Sequence, residues 1–175
     1  NFLLVHDIKS GAKLLPVEGR KGKMKKIVSV VMVLCMTLAL AACGGKEQTV
    51  SYKMEQEQSG LMMSDTMTLD AKGDKVVKIT EVIDVDMSGF DEATQGQMTT
   101  TYDAMVEQYA AVEGVECTGT AGTGTYSITI TIDATGDAVE KLAEQGLLAI
   151  EGNGSRLSLK ATGEALEGSG YTKVE

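Results

Sequence analysis

Histidine is almost missing from this chain: its 175 residues contain one, His6. Beyond that position no imidazole exists, which excludes a Ser-His-Asp or Cys-His catalytic group and a His-ligated zinc site there. Cysteine is scarce as well, at Cys35, Cys43 and Cys117. Basic residues are outnumbered, 16 against 25 acids. No apolar run is long enough to span a bilayer as a helix. The stretch Ile27 to Leu40 falls short of the roughly 20 apolar residues that this requires.

What is present begins at Met24-Lys25-Lys26, followed by the apolar stretch and then Leu40-Ala41-Ala42-Cys43. A basic start, a short apolar stretch and small residues before a cysteine resemble the signal peptide and lipobox of a bacterial lipoprotein. That resemblance implies cleavage before Cys43 and lipid attached to its sulfur, so that the chain is anchored to a membrane and not threaded through it. Residues 24–42 are then the signal peptide, 43–48 the lipidated cysteine with a short tether, and 49–175 a single domain. Residues 1–23 are expected to be an extension upstream of the natural protein. Glu18-Gly19-Arg20-Lys21-Gly22-Lys23 can be written in purine-rich codons, as a translated ribosome-binding site would be, and the nucleotide sequence tests this. The rival reading, a long basic leader, ends in removal of the same segment.

Cutting before Cys43 leaves 133 residues, a normal size for one domain with its own core. Seven of the 16 basic residues but only two of the 25 acids precede the cut, leaving nine against 23 and a net charge of −14. Such a field repels phosphate backbones and anionic headgroups, so nucleic-acid binding is not expected and membrane attachment has to come from the lipid. Cys35 leaves with the signal and Cys43 takes the lipid. Cys117 then has no disulfide partner and reads as a small buried or half-buried strand residue; as a nucleophile it would need a base beside it.

Along the mature chain, Thr49 to Glu57 and Met62 to Leu69 read as strands, and Asp70-Ala71-Lys72-Gly73-Asp74 supplies a turn. Lys75 to Met87 reads as a long strand with Val77, Ile79, Ile83, Val85 and Met87 on one face, interrupted by Glu81. Helical spacing starts near Thr94, which with Gln97 matches a capping box, and runs through Met98, Tyr102, Met105, Val106, Tyr109 and Val112 to a stop at Gly114. Val115 to Ala121 and Thr125 to Asp133 flank a glycine turn. Tyr126, Ile128, Ile130 and Ile132 there alternate strictly with polar residues. A short helix opens at Asp137 with Glu140 and stops at Gly146. Leu147-Leu148-Ala149-Ile150 is buried, Gly152-Asn153-Gly154 is a flexible link, Ser158 caps a helix reaching about Glu167, and Tyr171 to Val174 closes the chain. The expectation is an α+β fold, an antiparallel sheet of about five strands packed by one longer amphipathic helix and two shorter C-terminal helices.

The lipobox, the Asp-x-Lys-Gly-Asp-Lys-Val hairpin at Asp70 to Val76, the helix ending in Glu113-Gly114-Val115 and the tail from Leu157-Ser158-Leu159 to Gly170-Tyr171 together resemble the YehR-like lipoproteins. Membership in that family implies a small α+β domain on the cell envelope. It brings no catalytic or binding residues.

Four kinds of chemistry come into question on the residues themselves. Gly119-Thr120-Ala121-Gly122-Thr123-Gly124 looks like a phosphate-cradling loop, but a strand follows it where such loops feed a helix, so it reads as a hairpin turn. Asp84 and Asp86 share a strand face, with Asp70, Asp74, Asp91 and Glu92 elsewhere, which allows a loose calcium site or a carboxylate acid-base pair without the spacing of either motif. The methionines Met54, Met62, Met63, Met67, Met87, Met98 and Met105 could bind Cu(I) but show no tight cluster and read as packing. The expectation is therefore a non-enzymatic lipoprotein with no catalytic residue, metal or cofactor, contacting an unidentified ligand or envelope protein near the membrane. The alternatives are a carboxylate-dependent hydrolase or a metal-binding lipoprotein.

Overall fold

A computed structural model describes residues 45–148 and 157–174. Among them lie β1 (Glu47–Gln58), β2 (Leu61–Lys72), β3 (Lys75–Asp86), α1 (Glu92–Ala110), β4 (Val115–Ala121), β5 (Thr125–Asp133), α2 (Ala138–Glu144), α3 (Leu159–Gly168) and β6 (Thr172–Val174). The strands form one sheet in the order β4-β5-β3-β2-β1-β6, with every neighbouring pair antiparallel. The α+β architecture and the three helices match the sequence expectation, with six strands in place of about five. The added strand is β6. Its three residues are too few to show a period, and pairing with Ser51 to Lys53 of β1 is what makes them a strand.

The sheet follows from alternation. Tyr126, Ile128, Ile130 and Ile132 of β5 are buried, whereas Thr125 to Thr131 on the alternate positions face outward. Each fully buried isoleucine is worth about 1.5–3 kcal/mol relative to exposure, so a slip of one residue in register would be strongly unfavourable. The helices cover this face: α1 lies against β4 and β5, α2 against β5, and α3 against β1 and β6. Tyr102 of α1 meets Tyr126 with ring centroids 5.3 Å apart. The result is a two-layer domain with its core between sheet and helices.

Four local expectations are corrected. Helix α1 begins at Glu92 and is capped by Asp91, whose carboxylate accepts from the Thr94 amide at 2.9 Å and from the Thr94 hydroxyl at 3.1 Å. Thr94 is thus already inside the first turn and the Thr94–Gln97 box is not used. Asp137 does not cap α2 through its side chain; its carboxylate pairs instead with Lys141 at 3.1 Å. Val77 does not share the core face of β3. A register shift opposite Asp70 and Ala71 moves Val76 into the core and leaves Val77 half-buried. Finally, β1 begins at Glu47, inside the stretch read as tether.

The helix stop expected at Gly114 is also corrected: α1 ends at Ala110 with its cap at Ala111, and Gly114, three residues beyond that cap, turns the chain into β4 with a φ of +82°. A Cβ there would come within 2.9 Å of the Ala138 Cβ, so glycine is required on both counts. Ser158 caps α3 as expected, its Oγ accepting from the Ala161 amide at 3.1 Å. Leu147 and Leu148 are buried. Ala149, Ile150 and the Gly152-Asn153-Gly154 link lie outside the described residues.

Candidate functional site

Residues Leu40, Ala41, Ala42 and Cys43 lie outside the described residues, which begin at Gly45. The Gly73 amide donates to the Lys46 carbonyl at 3.0 Å and the Gln48 side-chain amide donates to the Gly73 carbonyl at 2.6 Å. The entry to β1 is thereby bound to the β2–β3 turn. This end of the sheet carries Lys46, Lys72 and Lys75. The opposite end, at the β1–β2 turn, carries Glu57 and Asp86 on either side of Met62, which is 46% exposed.

The surface carboxylates do not converge. Asp84 accepts from the Ser127 hydroxyl at 2.7 Å, and Asp86 from the Ser88 amide at 2.9 Å. The Lys160 amide at 3.0 Å, with Ser158, holds Asp74 below the usual carboxylate range. Burial opposes the charge on Asp70, but Lys78 at 2.7 Å and the Thr49 hydroxyl at 2.6 Å outweigh it and lower its pKa. Asp91 is lowered by the Thr94 amide and hydroxyl. Each of these groups is fixed to a local structural task. Among the described residues no three Asp, Glu, Cys or His side chains are grouped so as to hold a metal ion.

A shallow groove of about 380 Å³ opens beside the bottom of β3, β4 and β5, lined by Val77, Lys78, Gly114, Val115, Glu116, Thr131 and Asp133. It contains two carboxylates. Asp133, however, accepts from the Thr135 hydroxyl at 2.6 Å and the Thr135 amide at 2.8 Å, and these bonds lower its pKa. A carboxyl stabilised as the anion is a poor proton donor for acid catalysis.

The chemically unusual groups lie in the core. Glu81 on β3 is fully buried and Asp65 on β2 is 1% exposed. Both point to the helix side, because Asp65 pairs with Ile83 and Glu81 with Met67 across the two strands. Tyr171, between α3 and β6, donates its hydroxyl to Asp65 Oδ2 at 2.6 Å. Beyond that bond, Asp65 Oδ1 and both Glu81 oxygens meet no hydrogen-bond donor among the described residues. The two carboxyls are diagonal neighbours on adjacent strands and each perturbs the other's titration, so a proton shared between them would supply the missing donor. Burial pushes Glu81 well up, reinforced by Asp65, and burial also raises Asp65 against the lowering effect of Tyr171. The Tyr171 hydroxyl is raised by burial and by Asp65.

Glu81 announced itself in the sequence by breaking an apolar face. Asp65 was missed, although Leu61, Met63, Met67 and Leu69 bracket it at period two and the same rule would have found it. Nothing local pointed to Tyr171. Cys117 is buried on β4 with its thiol pushed up to about 11 by burial and by Glu81, the opposite of an activated nucleophile. The Gly119 to Gly124 segment closes the β4–β5 hairpin, and Gly119 is small because the Tyr126 hydroxyl lies over it. That hydroxyl donates to Asp103 of α1. The Met side chains divide between core and surface, with Met67 and Met87 1% exposed and Met62 outward.

No helix among the described residues is long and apolar enough to cross a membrane. No family model matches the chain. It is similar to the uncharacterized lipoprotein Lmo0207 of Listeria monocytogenes, 24% identical over 152 residues that cover 86% of this chain and 97% of the relative. It is likewise similar to the uncharacterized lipoprotein Lin0239 of Listeria innocua, 25% identical over 153 residues, 87% of this chain and 97% of that one. Its fold resembles the NMR structure of the E. coli YehR protein with a TM-score of 0.51 at 18% identity, over 73% of this chain and 92% of YehR. The similarity to the Listeria lipoproteins over most of the chain and the fold shared with YehR agree with the resemblance to the YehR-like lipoproteins.

Proposed function

We propose that the chain is extracytoplasmic, anchored to a bacterial membrane by lipid on Cys43 after removal of 24–42 as a signal peptide, and that its domain is a binding module without catalytic activity. The observation that carries this reading is position. The lipobox Leu40 to Cys43 stands directly ahead of the fold, with three residues between Cys43 and the first residue of β1. Fully extended, such a link reaches only about 10–14 Å. A domain tethered so closely, with its first strand bound to the β2–β3 turn, presents that end of the sheet to the lipid and the β1–β2 end to the surroundings.

The absence of histidine after position 6 and the local duties of the surface carboxylates support the non-catalytic half of the reading. The envelope location is tested by metabolic labelling of the bacterial host with an alkyne fatty acid. Label on the wild-type chain in the membrane fraction, lost together with membrane retention in Cys43→Ala, is the expected result. Equal labelling of Cys43→Ala would overturn the anchor. The binding role is tested by cross-linking on intact cells, in which a partner should be captured through the β1–β2 end and not through the β2–β3 turn.

A further inference from the structure

The segment from Leu159 to Val174, α3 with β6, forms a strap over the β1–β6 edge of the sheet. Its hold on the sheet is short: β6 pairs with β1 over Ser51↔Val174, Tyr52↔Lys173 and Lys53↔Thr172, whereas β1 pairs with β2 along the whole of both strands. At its start the Leu159 amide donates to the Asp74 carbonyl at 2.7 Å and the Lys160 amide to the Asp74 carboxylate at 3.0 Å; the rest of its hold is in the core, where Leu166 is fully buried, Gly163 fits against the Tyr52 ring, and Tyr171 bonds to Asp65. Asp65 is thus bonded to the residue that joins α3 to the most weakly paired strand of the sheet, and Glu81 lies one strand further in. Elements with few ladder contacts are the ones that open locally.

We propose that Asp65 and Glu81, closed over by Tyr171, form a proton latch: while the pair keeps its proton the α3–β6 strap stays seated, and loss of the proton releases the strap and bares the β1 edge. The reason is the hydrogen-bond count. Ionised together, the two carboxylates present four buried oxygens to the single donor of Tyr171, and two like charges stand side by side in the core. Neither can be relieved without water, and the strap is the layer whose displacement admits it. The titratable groups facing the pair are Tyr171 from the strap and Cys117 from β4, with Tyr52 of β1 one strand beyond Met67. Among the described residues no lysine or arginine acts on either carboxyl. Burial favours the neutral acid and no cation offsets it, so opening releases a proton and becomes easier as pH rises. The inference is independent of the lipid anchor.

Hydrogen exchange read by mass spectrometry on the protein purified from its host tests this, with rates corrected for the intrinsic pH dependence of exchange. The opening constant of peptides covering α3, β6 and Ser51 to Lys53 should rise about tenfold per pH unit above the ordinary carboxyl range if one proton is released. Peptides of β3 and β5 should stay protected, and Glu81→Gln should abolish the slope in the strap. A strap whose opening ignores pH, a slope shared equally by every strand, or a slope unchanged in Glu81→Gln would each overturn the latch. Should Glu81→Gln fail to fold, Tyr171→Phe keeps the question open to refutation. It retains both carboxyls and loosens the strap, so the latch requires faster opening at every pH with the slope preserved. Opening that matches wild type would refute it.

Discussion

Tyr171 and Asp65, 106 residues apart in the chain, meet in the core through a 2.6 Å hydrogen bond from the tyrosine hydroxyl to Asp65 Oδ2. This contact joins the end of the chain to its second strand. It also makes the position of the strap depend on a carboxyl that water does not reach.

Removing the hydroxyl alone should therefore weaken the whole domain. Tyr171→Phe keeps the ring in place and leaves Asp65 without its donor, at a cost of about 1–3 kcal/mol. In urea the unfolding midpoint should fall with the slope of the transition unchanged. A midpoint equal to wild type would show that the bond contributes nothing net.

Stability should have two pH limbs of opposite sign. Asp70, Asp74, Asp91 and Asp133 are held below their ordinary values in the fold, so the stability they contribute is present above the unfolded carboxyl range and lost as pH falls through their folded values. Asp65 and Glu81 are raised, so their contribution is complete below the unfolded range and lost as pH rises through their folded values. Thermal midpoints measured from about pH 3 to about pH 9 should peak between the limbs. Glu81→Gln should flatten the alkaline limb and leave the acid one; a curve rising steadily to the alkaline end contradicts the assignment.

Gly163 offers a test of packing against propensity. Alanine is favoured over glycine inside a helix by about 1 kcal/mol. Here, however, the Tyr52 hydroxyl occupies the place a Cβ would take, and the ring carbon bearing it lies 3.0 Å from that point. Gly163→Ala should destabilise by about 1–3 kcal/mol through overpacking. In a Tyr52→Phe background the loss should shrink, and a double-mutant cycle measures the difference. Equal losses in both backgrounds would place the strain elsewhere.

Cys117 should resist thiol reagents in the folded protein. Its side chain is buried and its pKa is pushed up to about 11, so little thiolate exists near neutrality. In protein processed at Cys43 as proposed, iodoacetamide at about pH 8 should modify it only after denaturation, as followed by intact mass. Rapid native alkylation would mean that β4 opens readily at the sheet edge.

Where burial repeats at short range, the chain could be read residue by residue. Tyr126 to Ile132 alternates because one face of β5 is dry, and Ser158 and Gly114 mark α3 and the turn into β4 by their own chemistry. Where two candidates of one type compete nearby, reading failed: Asp91 and Thr94 can both cap a helix, and only the path of the preceding chain decides which does. Val76 and Val77 are indistinguishable as apolar strand residues, and the register of β2 chose between them.

Period, caps and turn residues were enough to define a sheet with helices on one side, because each depends on neighbours within a few positions and on solvent. Pairing across long separations needed the folded chain. The sheet order, the three-residue strand β6 and the meeting of Tyr171, Asp65 and Glu81 depend on surfaces created only when distant segments dock, and no local pattern encodes which surface a tyrosine at the end of the chain will find. A carboxyl in an apolar row can be noticed in the sequence, but whether it meets water, a cation or a second acid is settled by what the fold places on top of it.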